Sequence, residues 1–152
     1  MRKSEDLILI FLVALDQITK YFVSVSMELH QSIKVLGNFL KITYVHNYGA
    51  AWSMMTGLKE VFIVAALIVV TVMVGYLAKD RKMNRWQRLV IIVLMAGTLG
   101  NLIDRFIHGY VIDFIDTYPF GYDFPVFNVA DICLTLGCAA LVLEILFDKE
   151  QK

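Results

Sequence analysis

Asp113 and Asp131 are the two residues of this sequence best suited to chemistry. They lie 18 positions apart, Asp113 near the start of a loop that joins two apolar segments and Asp131 near the start of the second segment, so antiparallel packing of those segments can bring them together. Two close carboxylates in a low-dielectric site share a proton, because both cannot ionise easily. The ionised partner can take a proton from water while the protonated one polarises a carbonyl. The spacing therefore permits aspartic-type hydrolysis of a peptide bond.

A purely structural role is the alternative interpretation of these acids. Asp113 and Asp116 could cap or solvate a loop helix. Asp131 could pair with Lys20 or Arg105. The spacing alone leaves both interpretations open.

The composition is that of an integral membrane protein. Of the 152 residues, 59% are hydrophobic, above the 45–50% or so that is typical of soluble domains. The mean hydropathy is +0.67. Lys and Arg total 14, as do Asp and Glu, so the balance gives no support for a nucleic-acid partner. We predict one integral membrane domain over residues 1–152.

Four long apolar segments predict an all-α membrane protein built as a four-transmembrane-helix bundle, since a span needs roughly 20 residues. The segments are 7–26, 61–78, 87–107 and 127–147. Segment 61–78 contains no acidic residue, whereas each of the other three segments does. An acid inside a bilayer is a functional-site candidate because inserting a charge costs at least about 2.5–3.5 kcal/mol.

Basic residues are concentrated on one side of the predicted spans, which orients the chain. Cytoplasmic loops carry an excess of Lys and Arg, so both termini are expected to be cytoplasmic, and 27–60 and 108–126 extracytoplasmic. The run from Lys79 to Arg88 has no other predicted role. The nine basic residues of the cytoplasmic side are Arg2, Lys3, Lys79, Arg81, Lys82, Arg85, Arg88, Lys149 and Lys152, against Lys34, Lys41 and Lys59 outside.

A cleavable signal peptide is an alternative for the N-terminus. Arg2 and Lys3 would precede the apolar region, and Ser24-Val25-Ser26 would be the cleavage site. Asp16 and Lys20 would interrupt such a region, whereas at i, i+4 on a retained helix they can pair.

The predicted topology gathers polar residues in one layer near the outer surface. With about 1.5 Å of rise per residue, Asp16 falls near the bilayer middle and the others lie further out. The residues of this layer are Lys20, Asn101, Asp104, Arg105, Asn128 and Asp131, with His46 and Asn47 in the preceding outer segment.

The two outer segments are expected to form a small extracytoplasmic β-cradle and a mobile flap. Apolar and polar positions alternate from Ile33 to Tyr44, with Gly37-Asn38 as a turn, which predicts one or two strands. The run that begins at Gly49 and contains Trp52 predicts a short interfacial helix. The aromatic loop from Tyr118 to Phe124 is the candidate flap.

Five motifs extend over nearly the whole chain. They are Asp16-Gln17-Ile18-Thr19-Lys20, His46-Asn47-Tyr48-Gly49-Ala50-Ala51-Trp52, Gly100-Asn101-Leu102-Ile103-Asp104-Arg105, Val111-Ile112-Asp113-Phe114 and Phe127-Asn128-Val129-Ala130-Asp131. In type and order they resemble the motifs of the bacterial lipoprotein signal peptidases, also called signal peptidase II. Each motif alone is weak, but five in the family's order on a four-span chain are specific. One departure is Trp52, at a position that is often phenylalanine.

The resemblance implies an aspartic endopeptidase of the bacterial plasma membrane. Its substrate would be a prolipoprotein carrying a diacylglyceryl group on its cysteine, and cleavage just before that cysteine would release the signal peptide. Asp113 and Asp131 would be the catalytic residues. Asn47, Gly49, Asn101, Arg105 and Asn128 would line the site or bind substrate, and Asp16, Lys20 and Asp104 would give polar structural support.

The resemblance and the composition also define the expected partners. These are the lipid-modified substrate and membrane lipid, with no nucleic acid and with the chain as a monomer. Cys133 and Cys138 form no metal-binding or disulfide pattern with other residues, so neither a metal nor another cofactor is expected.

Two other classes of protein remain as competing hypotheses. A proton-coupled transporter also places acids in the membrane, but it would be expected to have polar residues through the full depth. A structural subunit would need small-residue helix faces, for which Ala96, Gly97 and Gly100 are only a weak version.

Overall fold

Four long helices and one small sheet make up the described part of the chain. A computed structural model describes residues 3–49, 56–79 and 83–148. Each helix is long and apolar enough to cross a membrane, which confirms the predicted fold class. The helix bounds are Lys3–Ser26 for α1, Lys59–Lys79 for α2, Arg85–Ile107 for α3 and Val129–Asp148 for α4.

Helix α3 is the centre of the bundle and packs against the other three helices. Of its most apolar 18-residue window, 56% is buried, against 6% for α2. Large apolar side chains on the other helices, such as Phe11, Val72 and Phe147, are exposed. These surfaces suit contact with lipid, because lipid tails are as apolar as the side chains themselves.

Small residues allow α3 and α4 to approach closely. A Cβ atom added at Gly97 would lie 2.5 Å from the carbonyl oxygen of Ala130, and one at Gly137 would lie 2.6 Å from Cγ of Leu94. Both distances are shorter than real Cβ contacts, so these positions require glycine. The close approach places the first turn of α4 beside Gly97 and Gly100 of α3.

The opposite end of the bundle is held by an ion pair between α1 and α3. Arg88 donates from Nε and Nη2 to the two carboxylate oxygens of Glu5, at 2.6 and 2.9 Å, and from Nη1 to the carbonyl of Leu77 at 3.3 Å. Both charged side chains are largely buried. Arg88, predicted only as an orientation signal, therefore also joins α1, α2 and α3.

The sheet has three antiparallel strands in the order β1-β2-β3. They are Ser32–Leu36, Leu40–Asn47 and Val111–Thr117. The first two agree with the predicted strands, whereas β3 lies in 108–126, where we predicted no strand. In the register of β2 and β3, Asn47 lies opposite Val111 and Val45 opposite Asp113. The sheet thereby places the His46-Asn47 motif beside the strand that carries Asp113.

The chain passes from α3 into β3 within three residues. Gly109 adopts φ +84°, a left-handed conformation that ends helices and that glycine accepts without strain. The backbone N–H of Ile112 then donates to Oδ2 of Asp104 at 2.9 Å. This contact fixes the start of β3 against the end of α3.

The two remaining predicted features of the outer segments are the interfacial helix and the flap. The short interfacial helix expected after Gly49 lies outside the described residues, as does Trp52. In the candidate flap, Pro119–Gly121 forms a 3-10 turn in which Phe120 has φ +53° and is fully exposed.

Candidate active site

Asp113 is held on β3 by two side-chain amides. Nδ2 of Asn47 donates to its Oδ2 at 2.9 Å, and Nδ2 of Asn128 donates to its Oδ1 at 2.6 Å. Only 2% of Asp113 is exposed. These bonds join β2, β3 and the start of α4 at one carboxylate.

Asp131 lies in the first turn of α4 and is held in a similar way. Nδ2 of Asn101 donates to its Oδ1 at 2.7 Å, and the backbone N–H of Asn128 donates to its Oδ2 at 3.2 Å. Asp131 forms no ion pair with Lys20 or Arg105 among the described residues, which were its partners in the structural alternative.

Asn128 links the two acids. It is fully buried, and its Nδ2 donates to Asp113 while its backbone N–H donates to Asp131. The same Nδ2 also lies 3.1 Å from Oδ1 of Asn101. The two carboxylates are therefore fixed relative to each other through one residue, although they lie on different elements.

The pKa of Asp113 is raised from 3.8 to about 7. Burial is the largest cause because it penalises the charged form, and the neighbouring charge of Asp131 raises the pKa further. The hydrogen bonds from Asn47 and Asn128 act in the opposite direction. A carboxyl group with this pKa holds a proton in a large fraction of molecules at neutral pH.

Lys20 supports the site through three polar contacts. Its Nζ lies 2.8 Å from Oδ2 of Asp16 and 3.0 Å from Oδ2 of Asp104. It also donates to Oδ1 of Asn101 at 3.1 Å. The predicted i, i+4 pair of Asp16 and Lys20 is thus present. The Asn101 side chain accepts from the Lys20 ammonium and donates to Asp131, so it links the two residues.

Asp16 joins α1 to the start of α4. Its Oδ1 accepts from the backbone N–H of Ala130 at 2.8 Å, one of the helix N-terminal donors that have no partner within their own helix. Asp16, which we expected deeper than the other acids, therefore lies level with the first turn of α4.

Gln17 is a site residue to which the sequence analysis assigned no role. Its Nε2 lies within hydrogen-bond distance of the carbonyl of Gly100 at 3.1 Å and of Oδ1 of Asp104 at 2.9 Å. The sequence contained one signal for this role, which is the position of Gln17 in the first motif between Asp16 and Lys20. A glutamine on an apolar helix needs hydrogen-bond partners once that helix packs.

Arg105 and Gly49 close one side of the site. Nη2 of Arg105 donates to the carbonyl of Gly49 at 3.0 Å, and the guanidinium lies 5.0 Å from the ring centroid of Phe62. The guanidinium therefore connects α3, α2 and the segment after β2.

A cavity of about 570 Å³ opens beside these residues. Asp131 lines it directly, whereas Asp113 reaches it through its partner Asn47. Most of the remaining wall is apolar and comes from α2, α3, β3, α4 and the segment before α4. These wall residues include Ala66, Thr98, Val111, Phe124, Phe127, Ile132, Leu134 and Leu136. The cavity can thus hold an apolar chain next to a carboxylate.

The structure brings all the sequence-predicted site residues together. Asn47, Asn101 and Asn128 bond the two acids, Gly49 and Arg105 bond each other, and the supporting residues lie one layer behind them. The supporting residues are Asp16, Lys20 and Asp104.

The fold and the site together define a class: an integral membrane protein with paired aspartates beside an apolar cavity, an arrangement suited to aspartic hydrolysis. A family profile described as signal peptidase (SPase) II matches residues 8–147. This chain belongs to that family, whose members are aspartic peptidases, and it is a hydrolase. The resemblance seen in the five motifs is confirmed.

Curated relatives and solved structures agree with the family. The chain is 42% identical to lipoprotein signal peptidases of Staphylococcus aureus strains JH9 and Newman, over 96% of this chain and 90% of theirs. A bacterial membrane enzyme solved by the in meso method at 2.3 Å matches with a TM-score of 0.93 and 41% identity, over 98% of this chain and 91% of that one. A second, solved at 1.9 Å, has a TM-score of 0.86 and 41% identity, over 94% and 92%.

Proposed function

We propose that this chain removes signal peptides from diacylglyceryl-modified prolipoproteins by cleaving just before the lipidated cysteine. Asp113 and Asp131 are the catalytic pair in this proposal. The observation that supports it most strongly is the bonding of both carboxylates by Asn128 beside a mostly apolar cavity. The chain acts as one peptidase domain and as a monomer.

The two carboxylates have different parts in the proposed reaction. Asp131 lines the cavity and takes a proton from water, whose oxygen attacks the scissile carbonyl carbon. Asp113, which holds the shared proton, donates it to the carbonyl oxygen. When the intermediate collapses, Asp131 gives its proton to the leaving amide nitrogen and the C–N bond breaks, while the hydroxyl proton returns to Asp113.

The neighbouring residues position the acids and the substrate in this proposal. Asn101 keeps Asp131 oriented, and Lys20 polarises Asn101 from behind. Asn47 and Arg105 lie at the cavity wall, where they can bind the substrate backbone, and Gly49 leaves room for its close approach. An apolar signal helix and two acyl chains can enter from the bilayer, because most of the cavity wall is apolar.

The orientation belongs to the same proposal. The termini and the link between α2 and α3 contain nine basic residues, against three in the predicted extracytoplasmic segments, which supports cytoplasmic termini. The sheet lies at the end of the bundle where α1 and α3 end and where α2 and α4 begin. With that topology the cleavage site lies near the extracytoplasmic face of the plasma membrane, close to the lipid headgroups.

The decisive experiment is cleavage by purified protein in a lipid bilayer. A diacylglyceryl-modified prolipoprotein and the same precursor without the lipid are incubated with wild type, Asp113→Asn or Asp131→Asn. We expect either substitution to lower the cleavage rate by about 10²–10⁴-fold, which is the contribution typical of general acid–base groups. Glu28→Gln, which changes an exposed carboxylate in the same outer segment, is the control and should cleave normally.

The outcomes distinguish the parts of the proposal. Undiminished cleavage by either Asp variant would contradict the catalytic pair. Equal cleavage of the unmodified precursor would contradict the lipid requirement, and no cleavage by folded wild type would contradict the substrate class. Cleavage should also continue in EDTA, because the sequence contains no Cys/His ligand pattern. A loss that a divalent ion restores would overturn this expectation.

A further inference from the structure

The far end of the sheet carries an exposed cluster of apolar side chains, here called the apolar tip. It consists of Val35, Leu36, Phe39 and Phe120, all more than half exposed, with Phe120 fully exposed. The backbone N–H of Tyr118 donates to the carbonyl of Phe39 at 2.9 Å, so the hairpin turn and the Pro119–Gly121 turn lie side by side. These side chains belong to none of the four long helices and do not line the cavity.

A pair of like charges lies directly behind the apolar tip. Lys34 on β1 and Lys41 on β2 are cross-strand partners, and like charges opposite each other destabilise a sheet. Nζ of Lys41 lies 4.0 Å from the ring centroid of Tyr118. Two of the three basic residues in 27–60 therefore form this lysine pair. Asp116 lies opposite Lys41 on β3, but its carboxylate is buried and accepts from Thr43, so an anion between the two lysines would relieve their repulsion.

We propose that the apolar tip inserts into the headgroup region of the membrane leaflet at this end of the bundle, and that the lysine pair binds the phosphate of an anionic phospholipid there. Apolar side chains backed by basic ones are typical of elements that lie in a membrane interface, and basic residues near the surface are attracted to anionic lipids. Such insertion depends only on the membrane-spanning helices and not on the peptidase reaction.

The connection to α1 keeps the sheet near the bilayer. Residues 27–31 are the only link between the end of α1 and the start of β1, and five residues extend at most about 18 Å. The sheet therefore always lies close to the lipid of this leaflet. With its tip in the leaflet, the sheet is held at both ends: at Asn47 and Asp113 by the bundle, and at the turns by lipid.

The insertion can be tested in nanodiscs with lipids brominated on the acyl chains. The full chain with Phe120→Trp is compared with wild type, so that the signal is the increment over Trp52 and Trp86. In bilayers containing phosphatidylglycerol we expect the added fluorescence to be quenched roughly twofold or more, as for side chains buried about 5–10 Å into the interface. Adding Leu36→Ser and Phe39→Ser should reduce the quenching. Unquenched fluorescence, as for a tip that contacts a protein partner or water, would overturn the proposal.

The lysine pair is tested in the same system. In the Phe120→Trp chain, Lys34→Gln with Lys41→Gln should abolish the difference in quenching between bilayers of phosphatidylglycerol and bilayers of phosphatidylcholine alone. Lys59→Gln removes the third basic residue of this segment and should preserve the difference. Quenching that is the same in both lipids for the unmodified lysine pair would contradict binding of the anionic headgroup.

Discussion

Asn128 and Asp131 exchange two hydrogen bonds across the start of α4. The backbone N–H of Asp131 donates to Oδ1 of Asn128 at 3.0 Å, and the backbone N–H of Asn128 donates to Oδ2 of Asp131 at 3.2 Å. This reciprocal pattern is a capping box, which satisfies N–H groups that a helix start leaves unpaired. The interaction that begins α4 therefore also orients a proposed catalytic carboxylate.

The two functions of Asn128 can be separated by substitution. Asn128→Ser keeps a side-chain oxygen suited to the cap, but it loses the Nδ2 donor to Asp113. We expect it to cleave substrate at least about tenfold more slowly and to lose about 1–3 kcal/mol of stability, because the buried carboxylate of Asp113 loses one of its two amide donors.

Asn128→Ala is the matched variant that removes both functions. Without the cap it should be about 1 kcal/mol less stable than Asn128→Ser, measured by unfolding in detergent alongside the cleavage rate. Equal stability of the two variants would contradict the role of the cap, and wild-type cleavage by Asn128→Ser would contradict the role of the Nδ2 bond.

The raised pKa of Asp113 makes stability depend on pH. Its pKa is about 7 in the folded protein against 3.8 for the free group, so between these values the folded state binds a proton that the unfolded state releases. Wild-type stability should then fall as pH rises from 4 to 7, by at most about 1.4 kcal/mol per pH unit.

Thermal unfolding of wild type and Asp113→Asn across this pH range tests the dependence. The variant lacks the titrating group, so its midpoint should fall less steeply than that of wild type. Glu28→Gln, which changes an exposed acid, should keep the wild-type slope. Parallel curves for wild type and Asp113→Asn would contradict the raised pKa.

Lys20 should be essential to stability. Lys20→Met leaves the buried carboxylates of Asp16 and Asp104 without their cation, and breaking a buried ion pair in this way costs about 3–5 kcal/mol. Lys3→Met on the same helix changes an exposed side chain and should shift stability by no more than about 0.5 kcal/mol. The free energy of unfolding of both variants is the measurement, and similar values would refute the role assigned to Lys20.

Gly100 should tolerate no side chain. An added Cβ would lie 2.5 Å from Oδ2 of Asp16 and 2.9 Å from Cβ of Ala130, so Gly100→Ala should cost about 1–3 kcal/mol as an overpacked site and slow cleavage. Gly75→Ala on α2 meets no atom within 4 Å and should be neutral or stabilising by up to about 1 kcal/mol. Thermal midpoints and cleavage rates decide, and a harmless Gly100→Ala would argue against the close contact.

Prediction from the sequence succeeds for the helices and less well for the outer segments. A membrane span is a local property, since about 20 apolar residues suffice to cross a bilayer, and all four helices begin and end within a few residues of the predicted segments. Strand β3 was missed because it is buried along most of its length and so lacks the alternation of a half-exposed strand. Glu5 and Arg88 are 83 residues apart, and their spacing contained no signal of pairing.

The sequence by itself determined the four spans, the concentration of basic residues on one side and, through its motifs, the residues of the site. These depend on hydropathy and residue type, which can be read locally. Only the tertiary structure decided which groups touch: Asn128 between the two aspartates, Asp16 on the N–H of Ala130, and Lys20 behind Asn101. Such contacts join residues up to 114 positions apart. They exist because buried polar groups must find partners once α3 and α4 have packed closely at their glycines.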